Sequence, residues 1–400
     1  MQEEKYVDKK ENTDVLKKSR FTSALVSYAL IGAFILLTAG AGIFTLTAKD
    51  REFSDSENRM LSQKPYFSLD RLIDGSFMSD FEGWLSDQFP LRDEAIILKT
   101  DLDRLGGKKE ENGVYIGKNN RLFEIPSEYD KEKNKEKADA ISEFLDRYPE
   151  VNGLVAIVPN SSFIYSGELP DFLALGNQQE QINEIYASLS SKNLETADTV
   201  SALYTMKQEG TELYYKTDHH WTTRAAYGIF LQIADIWKLD KGMAYSFYTV
   251  TDSFEGTLSS KSGVHDAKDS IEICVPDGSE ESYTVSFESM QVKRATLFDE
   301  NKLNTKNKYE VFLGGNYDKI SIETTAPNDN CLLIIKDSYA NCMIPMLTPH
   351  FSRIVVVDPR YMSESMDTVM SEYNFTHVLL LYNLNTFNED SALCDVICTE

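Results

Sequence analysis

The sequence predicts an α/β fold, in which helices flank a mainly parallel sheet, with an inserted β-rich region and an N-terminal transmembrane helix. Three observations indicate this class. Short continuous apolar runs alternate with helical patterns along most of the chain, as expected where strands are buried on both faces of a sheet. Residues 240–310 are rich in Ser and Thr and poor in helical patterns. Residues 21–47 carry no charge and exceed the roughly 20 residues that cross a bilayer.

The apolar segment 21–47 predicts a single-pass anchor in the cell membrane, preceded by a short polar tail at residues 1–20. Lys17, Lys18 and Arg20 stand directly before it, which favours a cytoplasmic N-terminus and an extracytoplasmic location for the remaining residues. A cleaved signal peptide is the alternative. Its apolar region would normally span only about 7 to 15 residues, so the length favours an uncleaved anchor.

Residues 48–111 predict a helical membrane-proximal segment. Phe77, Phe81 and Trp84 recur at the spacing of one helix face, and Pro90 separates this helix from a second one.

Residues 112–400 predict the α/β domain, which includes the β-rich insertion. Buried strands are expected at 151–158, 331–336, 353–358 and 377–383, with helices between the first two. In sheets of this kind, binding sites gather at the carboxyl ends of the strands.

Composition disfavours several classes of function. The formal net charge of −24 disfavours binding to nucleic acid, because a broad basic surface is needed to neutralise phosphates. The five cysteines form no CxxC pair, and no glycine-rich phosphate loop is present, so the sequence predicts neither a metal site nor a cofactor.

The first candidate site is the stretch YYKTDHHWTT at 214–223. A helix is predicted from about Thr222 or Thr223, and its positive end favours a neutral imidazole just before it. Asp218 could accept the Nδ1 proton of His220 and leave Nε2 free to act as a general base. Two alternatives remain: these residues could cap the helix, or His219 and His220 could bind a metal, although adjacent side chains rarely converge on one ion.

The second candidate site follows the predicted strand that ends at Lys336. Asp337 and Ser338 open the next helix, so the Ser338 hydroxyl is expected at the carboxyl edge of the sheet. Helix capping is again the alternative, because Asp and Ser are preferred N-cap residues. A serine nucleophile needs a base and an orienting group from elsewhere in the chain, and the Asp-x-His stretch supplies both.

The glycine pair before Asn316 is the third candidate. Gly315 could offer its N–H and Asn316 its side-chain amide to an oxyanion that develops during acyl transfer. An ordinary glycine-rich turn is the alternative.

Six stretches in order, ENRMLSQKPYFS, NGVYIGK, TDHHWT, FLGGNY, IIKDSYAN and VVVDPRY, resemble the signature of the DHHW protein family. The resemblance extends from about Phe53 to the C-terminus. The family is similar to periplasmic alginate O-acetylation proteins, which have an SGNH-hydrolase-like fold and a Ser-His-Asp triad, with the histidine motif ahead of the serine. It implies that Ser338 is the nucleophile, His220 the base and Asp218 the orienter. One departure is Lys336, which stands where many SGNH-type sites have glycine.

The resemblance implies a membrane-anchored O-acyltransferase that transfers an acyl group, in the simplest case acetyl, to a cell-surface or secreted polysaccharide. It also implies a membrane-bound O-acyltransferase partner that supplies the acyl group. Two alternatives stay open. A carbohydrate esterase could use the same fold and triad, because only the group that resolves the acyl-enzyme differs. A non-catalytic module could bind polysaccharide or a partner.

Overall fold

The computed structural model describes residues 2–54, 59–171, 173–240, 242–277 and 283–398, with side chains from residue 24 onward. Met1 of the predicted tail and residues 278–282 of the predicted β-rich region lie outside the described residues. The chain forms two compact units, one of Met1–Ser54 with Arg59–Leu98, and a second that extends from Lys99 onward. The domain boundaries drawn from the sequence stay predictions.

The first unit contains the N-terminal apolar helix expected from the sequence. The helix α1 spans Gln2–Thr47, and its part Ala24–Thr47 has a mean hydropathy of 2.2, long and apolar enough to cross a membrane. Such a helix suits a single-pass anchor or a signal sequence. The elements that follow it are β1 (Phe53–Ser54), β2 (Arg59–Met60), α2 (Leu69–Ile73), α3 (Ser76–Asp87) and α4 (Arg92–Leu105), the last of which continues into the second unit.

The described residues of the second unit form three sheets. The first is a small antiparallel sheet of β3 (Glu110–Glu111), β4 (Val114–Ile116) and β5 (Leu122–Glu124). The other strands, in chain order, are β6 (Asn152–Val158), β7 (Leu194–Thr196), β8 (Tyr245–Phe254), β9 (Asp269–Pro276), β10 (Thr284–Phe287), β11 (Val292–Arg294), β12 (Lys319–Glu323), β13 (Cys331–Lys336), β14 (Arg353–Val357) and β15 (His377–Asn383).

The main sheet has eight strands in the order β11-β10-β12-β14-β13-β15-β6-β7. The five strands from β14 to β7 are parallel, and β12, β10 and β11 continue the sheet in antiparallel pairs. The predicted α/β class with a mainly parallel sheet is therefore confirmed. In the predicted β-rich region, β8 and β9 pair with each other, whereas β10 and β11 extend the main sheet.

Helices cover both faces of the main sheet. Along β13, Leu332 and Ile334 pack into one apolar core while Leu333 and Ile335 pack into the other, because successive side chains of a strand point to opposite faces. The helices of this unit are α5 (Lys131–Asp146), α6 (Ser161–Ile164), α7 (Gln178–Ser188), α8 (Thr199–Gln208), α9 (Thr223–Ile236), α10 (Thr257–Ser262), α11 (Ile344–Leu347), α12 (Met366–Glu372), α13 (Leu384–Glu389) and α14 (Ala392–Ile397).

The parallel register brings the carboxyl ends of the central strands to one edge of the sheet. The strand β15 pairs in parallel with β13 on one side and with β6 on the other. The residues that follow these strands, Ser338 after β13 and Asn160 after β6, therefore emerge at the same edge. This edge carries the candidate active site.

Candidate active site

The Asp-His-His-Trp stretch forms a tight loop that is held at both ends. Tyr214 and Trp221 pair in an antiparallel bridge, and Tyr215 N–H donates to the carbonyl of His220 over 3.2 Å. The hydroxyl of Thr222 accepts the N–H of Ala225 and caps α9, which begins at Thr223 as predicted. The loop thus presents its polar side chains just before the helix N-terminus.

Two side chains of this loop meet a third from a distant part of the chain. His220 Nδ1 lies 2.5 Å from Asp218 Oδ1, and His220 Nε2 lies 2.7 Å from Ser338 Oγ. Asp218 and His220 are both buried, with 1% and 6% of their surface exposed. This is the order of contacts in which a carboxylate orients an imidazole and the imidazole can deprotonate a hydroxyl.

Asp218 is held as a carboxylate by donors on both oxygens. Its Oδ1 accepts the backbone N–H of His220 over 2.9 Å, and its Oδ2 accepts the N–H and hydroxyl of Thr257 over 2.7 and 3.0 Å. Burial by itself raises the pKa of Asp218, but the neighbouring imidazoles and these hydrogen bonds outweigh it and hold the pKa well below its usual range. Asp218 is therefore ionised and fixed in orientation.

His220 lies between two rings. The His219 ring is 3.9 Å away on one side, and the Tyr309 ring stacks on the other at 3.8 Å with an interplanar angle of 14°. Burial and, to a smaller extent, the adjacent His219 lower the pKa of His220, Asp218 opposes the shift, and the net result is a pKa of about 4. His220 is consequently neutral at neutral pH, which is the state that a general base requires.

His219 points to the rim of the site. Its Nδ1 lies 2.8 Å from Thr257 Oγ1, and 28% of its side chain is exposed. The ligand atoms of Asp218, His219 and His220 all lie within 4.8 Å of one another, a separation that a metal ion could bridge. However, both ring nitrogens of His220 already have hydrogen-bond partners in Asp218 and Ser338, so the donor set suits proton transfer better than ligation.

The turn that carries Ser338 is anchored by its own neighbours. Ser338 begins a 3₁₀ helix, Ser338–Cys342, directly after β13. The carboxylate of Asp337 accepts the N–H of Tyr339 over 2.9 Å and that of Asn383 over 2.8 Å, so it caps this helix and ties it to the end of β15. Capping, which the sequence offered as the alternative for this pair, is thus carried out by Asp337, and the Ser338 hydroxyl contacts His220.

Hydrogen bonds join the two turns directly. Trp221 Nε1 donates to the carbonyl of Tyr339 over 2.8 Å, and the Tyr339 hydroxyl donates to the carbonyl of His219. Tyr309 adds a third connection, because its hydroxyl donates to the carbonyl of Ser338 over 3.3 Å while its ring stacks on His220. The separation between His220 and Ser338 is therefore set by a rigid frame.

Gly315 and Asn316 lie in a turn that contacts the segment Ser338–Cys342, which we call the serine turn. The backbone φ angles of Gly314 and Gly315 are +85° and +132°, values that favour glycine. Asn316 Oδ1 accepts hydrogen bonds from Lys336 Nζ over 2.9 Å and from Asn341 Nδ2 over 3.1 Å. These two donors lie on either side of Ser338 in the chain, so Asn316 of the third candidate contacts residues that neighbour Ser338 in sequence.

Comparison with known proteins identifies the domain. Residues 116–309 match the family model described as the SGNH hydrolase-like domain of the acetyltransferase AlgX. This part of the chain has an SGNH hydrolase-like fold. The resemblance inferred from the sequence motifs is thereby confirmed, and the domain has the fold of SGNH-like acetyltransferases.

Solved structures share the fold of this SGNH hydrolase-like domain. A DHHW family protein from Eubacterium siraeum DSM 15702 is 20% identical, with a TM-score of 0.62 over 73% of this chain and 98% of its own. Bacillus cereus PatB1, solved with a sulfonyl adduct, is also 20% identical, with a TM-score of 0.58 over 71% of this chain and 97% of its own. A comparison with curated proteins gave no significant match.

Sequence reasoning selected the central side chains of the site and missed their supports. Thr257 contacts Asp218, and Tyr309 contacts His220. Tyr339, next to Ser338, accepts a hydrogen bond from Trp221 and donates one to His219. Tyr339 lies inside the IIKDSYAN stretch, where its position after Ser338 was a usable signal. Thr257 and Tyr309 lie in stretches with no motif of their own, so only the fold reveals them.

Proposed function

We propose that this chain is a membrane-anchored, extracytoplasmic O-acyltransferase that transfers an acyl group, in the simplest case acetyl, to a cell-surface or secreted polysaccharide. The observation that carries the proposal is the 2.7 Å separation between His220 Nε2 and Ser338 Oγ, with Asp218 at the other ring nitrogen. The match to an acetyltransferase family model supports the class of reaction.

The first half of the proposed reaction forms an acyl-enzyme. Ser338 Oγ attacks the carbonyl carbon of the acyl donor while its proton moves to His220 Nε2. Asp218 stabilises the imidazolium that results. The oxyanion of the tetrahedral intermediate accepts hydrogen bonds from Gly315 N–H and the Asn316 amide. The intermediate collapses when His220 returns the proton to the leaving group, and the acyl group remains on Ser338 as an ester.

The second half transfers the acyl group. A sugar hydroxyl gives its proton to His220 and attacks the Ser338 ester, and collapse of this second intermediate restores the serine hydroxyl. An esterase would use water in place of the sugar hydroxyl. We assign the polysaccharide as acceptor, and a membrane-bound O-acyltransferase as the source of acyl groups, from the resemblance to alginate O-acetylation proteins.

The helix Ala24–Thr47 supports the membrane anchor. We propose that it crosses the membrane once with the N-terminus in the cytoplasm, because Lys17, Lys18 and Arg20 precede it. A cysteine-reactive, membrane-impermeant label should then reach an exposed Cys398 in intact cells, whereas labelling only after cell lysis would place the domain in the cytoplasm.

The acyl-enzyme can be tested directly with the full chain in detergent. Incubation with 4-nitrophenyl acetate should acetylate Ser338, as seen by peptide mass spectrometry, and a sulfonyl fluoride should block that residue. Ser338→Ala should abolish both modifications. Ser161→Ala is the matched control, since Ser161 follows β6 at the same edge of the sheet and should leave both intact.

The distribution of the acetyl group then separates the two reactions. Added oligosaccharides should take most of the acetyl released from Ser338 if the chain is a transferase. Release to water at the same rate with and without oligosaccharide would instead favour the esterase. Absence of any acylation at Ser338 would exclude both.

A further inference from the structure

Lys336 is a buried lysine close in the chain to the proposed nucleophile. Burial lowers the pKa of Lys336, and the neighbouring Asp358 carboxylate opposes that shift and favours the ammonium form. Lys336 is the last residue of β13, and only 1% of its surface is exposed. The nearest carboxylate oxygen, Asp358 Oδ2, is 3.4 Å from Nζ and already accepts a 2.7 Å hydrogen bond from Arg360. The shorter contact of Lys336 is the 2.9 Å hydrogen bond to Asn316 Oδ1. Because burying an ammonium is costly, this unequal arrangement points to a role for Lys336 at Asn316.

The contact determines how the Asn316 amide is oriented. An ammonium group only donates hydrogen bonds, so Asn316 must turn its oxygen, and not its NH2 group, towards Lys336. Asn341 Nδ2 donates to the same oxygen over 3.1 Å. With both donors in place the carboxamide cannot flip, and its NH2 group faces away from Lys336. In the described part of the chain, no protein acceptor takes a hydrogen bond from that NH2 group.

We propose that Lys336, assisted by Asn341, is a positioning residue that locks and polarises the Asn316 amide so that its NH2 group donates to the oxyanion formed during acylation of Ser338. This inference rests on the proposed function. A cation on the amide oxygen draws electron density from the nitrogen, which strengthens its N–H groups as donors. A donor that is already fixed needs no reorganisation when the charge develops.

The charge of Lys336 also affects the pKa of His220, the proposed base. Burial is the main cause of the low pKa of His220, and Lys336 adds to the shift because its charge disfavours the imidazolium. Removal of the Lys336 charge should therefore move the pH dependence of acylation to higher pH. A purely structural role for Lys336 would not produce that movement.

The test is a double-mutant cycle on the full chain, with the single-turnover rate of Ser338 acetylation by 4-nitrophenyl acetate as the readout. Asn316→Ala should lower this rate about 100-fold, as expected for loss of one oxyanion donor. Lys336→Met should lower it at least about tenfold, with a larger effect on the acylation rate than on the concentration of donor at half saturation. The double variant should be no slower than Asn316→Ala, because Lys336 acts through Asn316.

Lys137→Met is the matched control. Lys137 is also buried, with 5% of its surface exposed, and it donates to the backbone carbonyls of Phe387 and Asn388. This variant should lose stability but keep the wild-type rate and pH profile. Lys336→Arg, which keeps the charge, should recover part of the rate. If Lys336→Met does not fold, Asn341→Ala removes the second donor to Asn316 without stranding a charge, and it should also slow acylation non-additively with Asn316→Ala.

Three results would overturn the inference. The effects of Lys336→Met and Asn316→Ala could multiply, Lys336→Met could match Lys137→Met, or the Asn341 and Asn316 effects could multiply. If Ser338 is acylated in the wild-type chain and any of these three results is found, this inference is wrong while the proposed function still stands. A wild-type chain with no acylation at Ser338 would remove the proposed function, and this inference with it.

Discussion

At the residue scale, the imidazole of His220 is restrained on every side that matters for proton transfer. Asp218 binds one ring nitrogen, Ser338 lies at the other, and the faces of the ring are covered by His219 and Tyr309. The ring therefore has little freedom to rotate away, and the proposed base is oriented before any substrate arrives.

Asp218→Asn tests the orienting role of the carboxylate. An amide can present its NH2 group to Nδ1, which forces the proton of His220 onto Nε2 and removes the base. The rate of Ser338 acetylation should fall about 10³- to 10⁴-fold, while the fold persists. Asp390→Asn is the control, because Asp390 also carries a buried carboxyl group but contacts Tyr382 and the start of α14. Equal rates for both variants would contradict the triad.

The pH dependence of acylation should report the protonation of His220. Only the neutral imidazole can accept the Ser338 proton, so the rate should rise as the pH rises through the His220 pKa of about 4 and then level off. Single-turnover acetylation measured from pH 3 to 8 gives the midpoint. A midpoint above the ordinary histidine value of about 6.5 would show that burial does not control this group.

At the element scale, the site is built from three segments: the loop before α9, the turn after β13 and the start of α10. Trp221 and Tyr339 join the first two, and Thr257 binds Asp218 from the third. Each segment is locally regular, and each supplies backbone or side-chain groups that the other two need.

Gly256→Ala tests the contact between α10 and the loop. A Cβ atom at residue 256 would lie 2.3 Å from Asp218 Cβ and 2.4 Å from its Oδ2, so one of the two segments must move. We expect a loss of stability of about 1 to 3 kcal/mol, and a fall in Ser338 acylation of at least about tenfold as Asp218 shifts.

Gly167→Ala is the control for this substitution, because no atom lies within 4 Å of a Cβ at that position. Chemical unfolding of the detergent-solubilised chain and single-turnover acetylation provide the two measurements. A Gly256→Ala variant with wild-type acylation would show that Asp218 tolerates displacement.

The elements differ in how far the sequence predicted them. Strands β6, β13, β14 and β15 were expected because strands buried on both faces read as continuous apolar runs. Strands β7 and β12 were not expected. Strand β7 has only three residues. Strand β12, KISIE, has two isoleucines between polar residues, and its first residue is a buried lysine surrounded by Glu288, Glu364 and Glu372. A local sequence pattern does not predict a strand whose charged side chains are neutralised by residues that are distant in the chain.

At the scale of the whole molecule, burial lowers the pKa of three histidines in the described part of the chain, His220, His350 and His377. Burial lowers the pKa of His377 to about 4, as it does for His220. His377 begins β15 and packs against the rings of Trp237 and Phe351, with centroid distances of 4.9 and 5.2 Å. His377 therefore binds a proton at a lower pH in the native state than in the unfolded chain.

This difference predicts acid sensitivity. Between about pH 6.5 and pH 4 the unfolded chain binds more protons than the native chain, so the free energy of unfolding falls as the pH falls through this range. His377 contributes up to about 3 kcal/mol of this loss. His377→Phe should flatten the dependence, as measured by chemical unfolding of the full chain at pH 7 and pH 4.5. An unchanged slope would show that His377 takes up its proton without cost.

The sequence by itself determined the local chemistry of this protein. Some features depend on interactions within a few residues, so short stretches of sequence predict them. These features are the periodicity of strands and helices, the capped start of α9 and the Asp-Ser pair after β13. The same short stretches selected Asp218, His220 and Ser338 as the side chains able to transfer a proton.

Only the tertiary structure decided how those side chains meet. His220 and Ser338 are 118 residues apart in the chain, and their 2.7 Å contact depends on the packing of two turns at one edge of the sheet. The stacking of Tyr309 on His220 and the hydrogen bond from Lys336 to Asn316 likewise join distant residues. Such contacts leave no local pattern, because they are selected by the shape and burial of the folded core rather than by spacing along the chain.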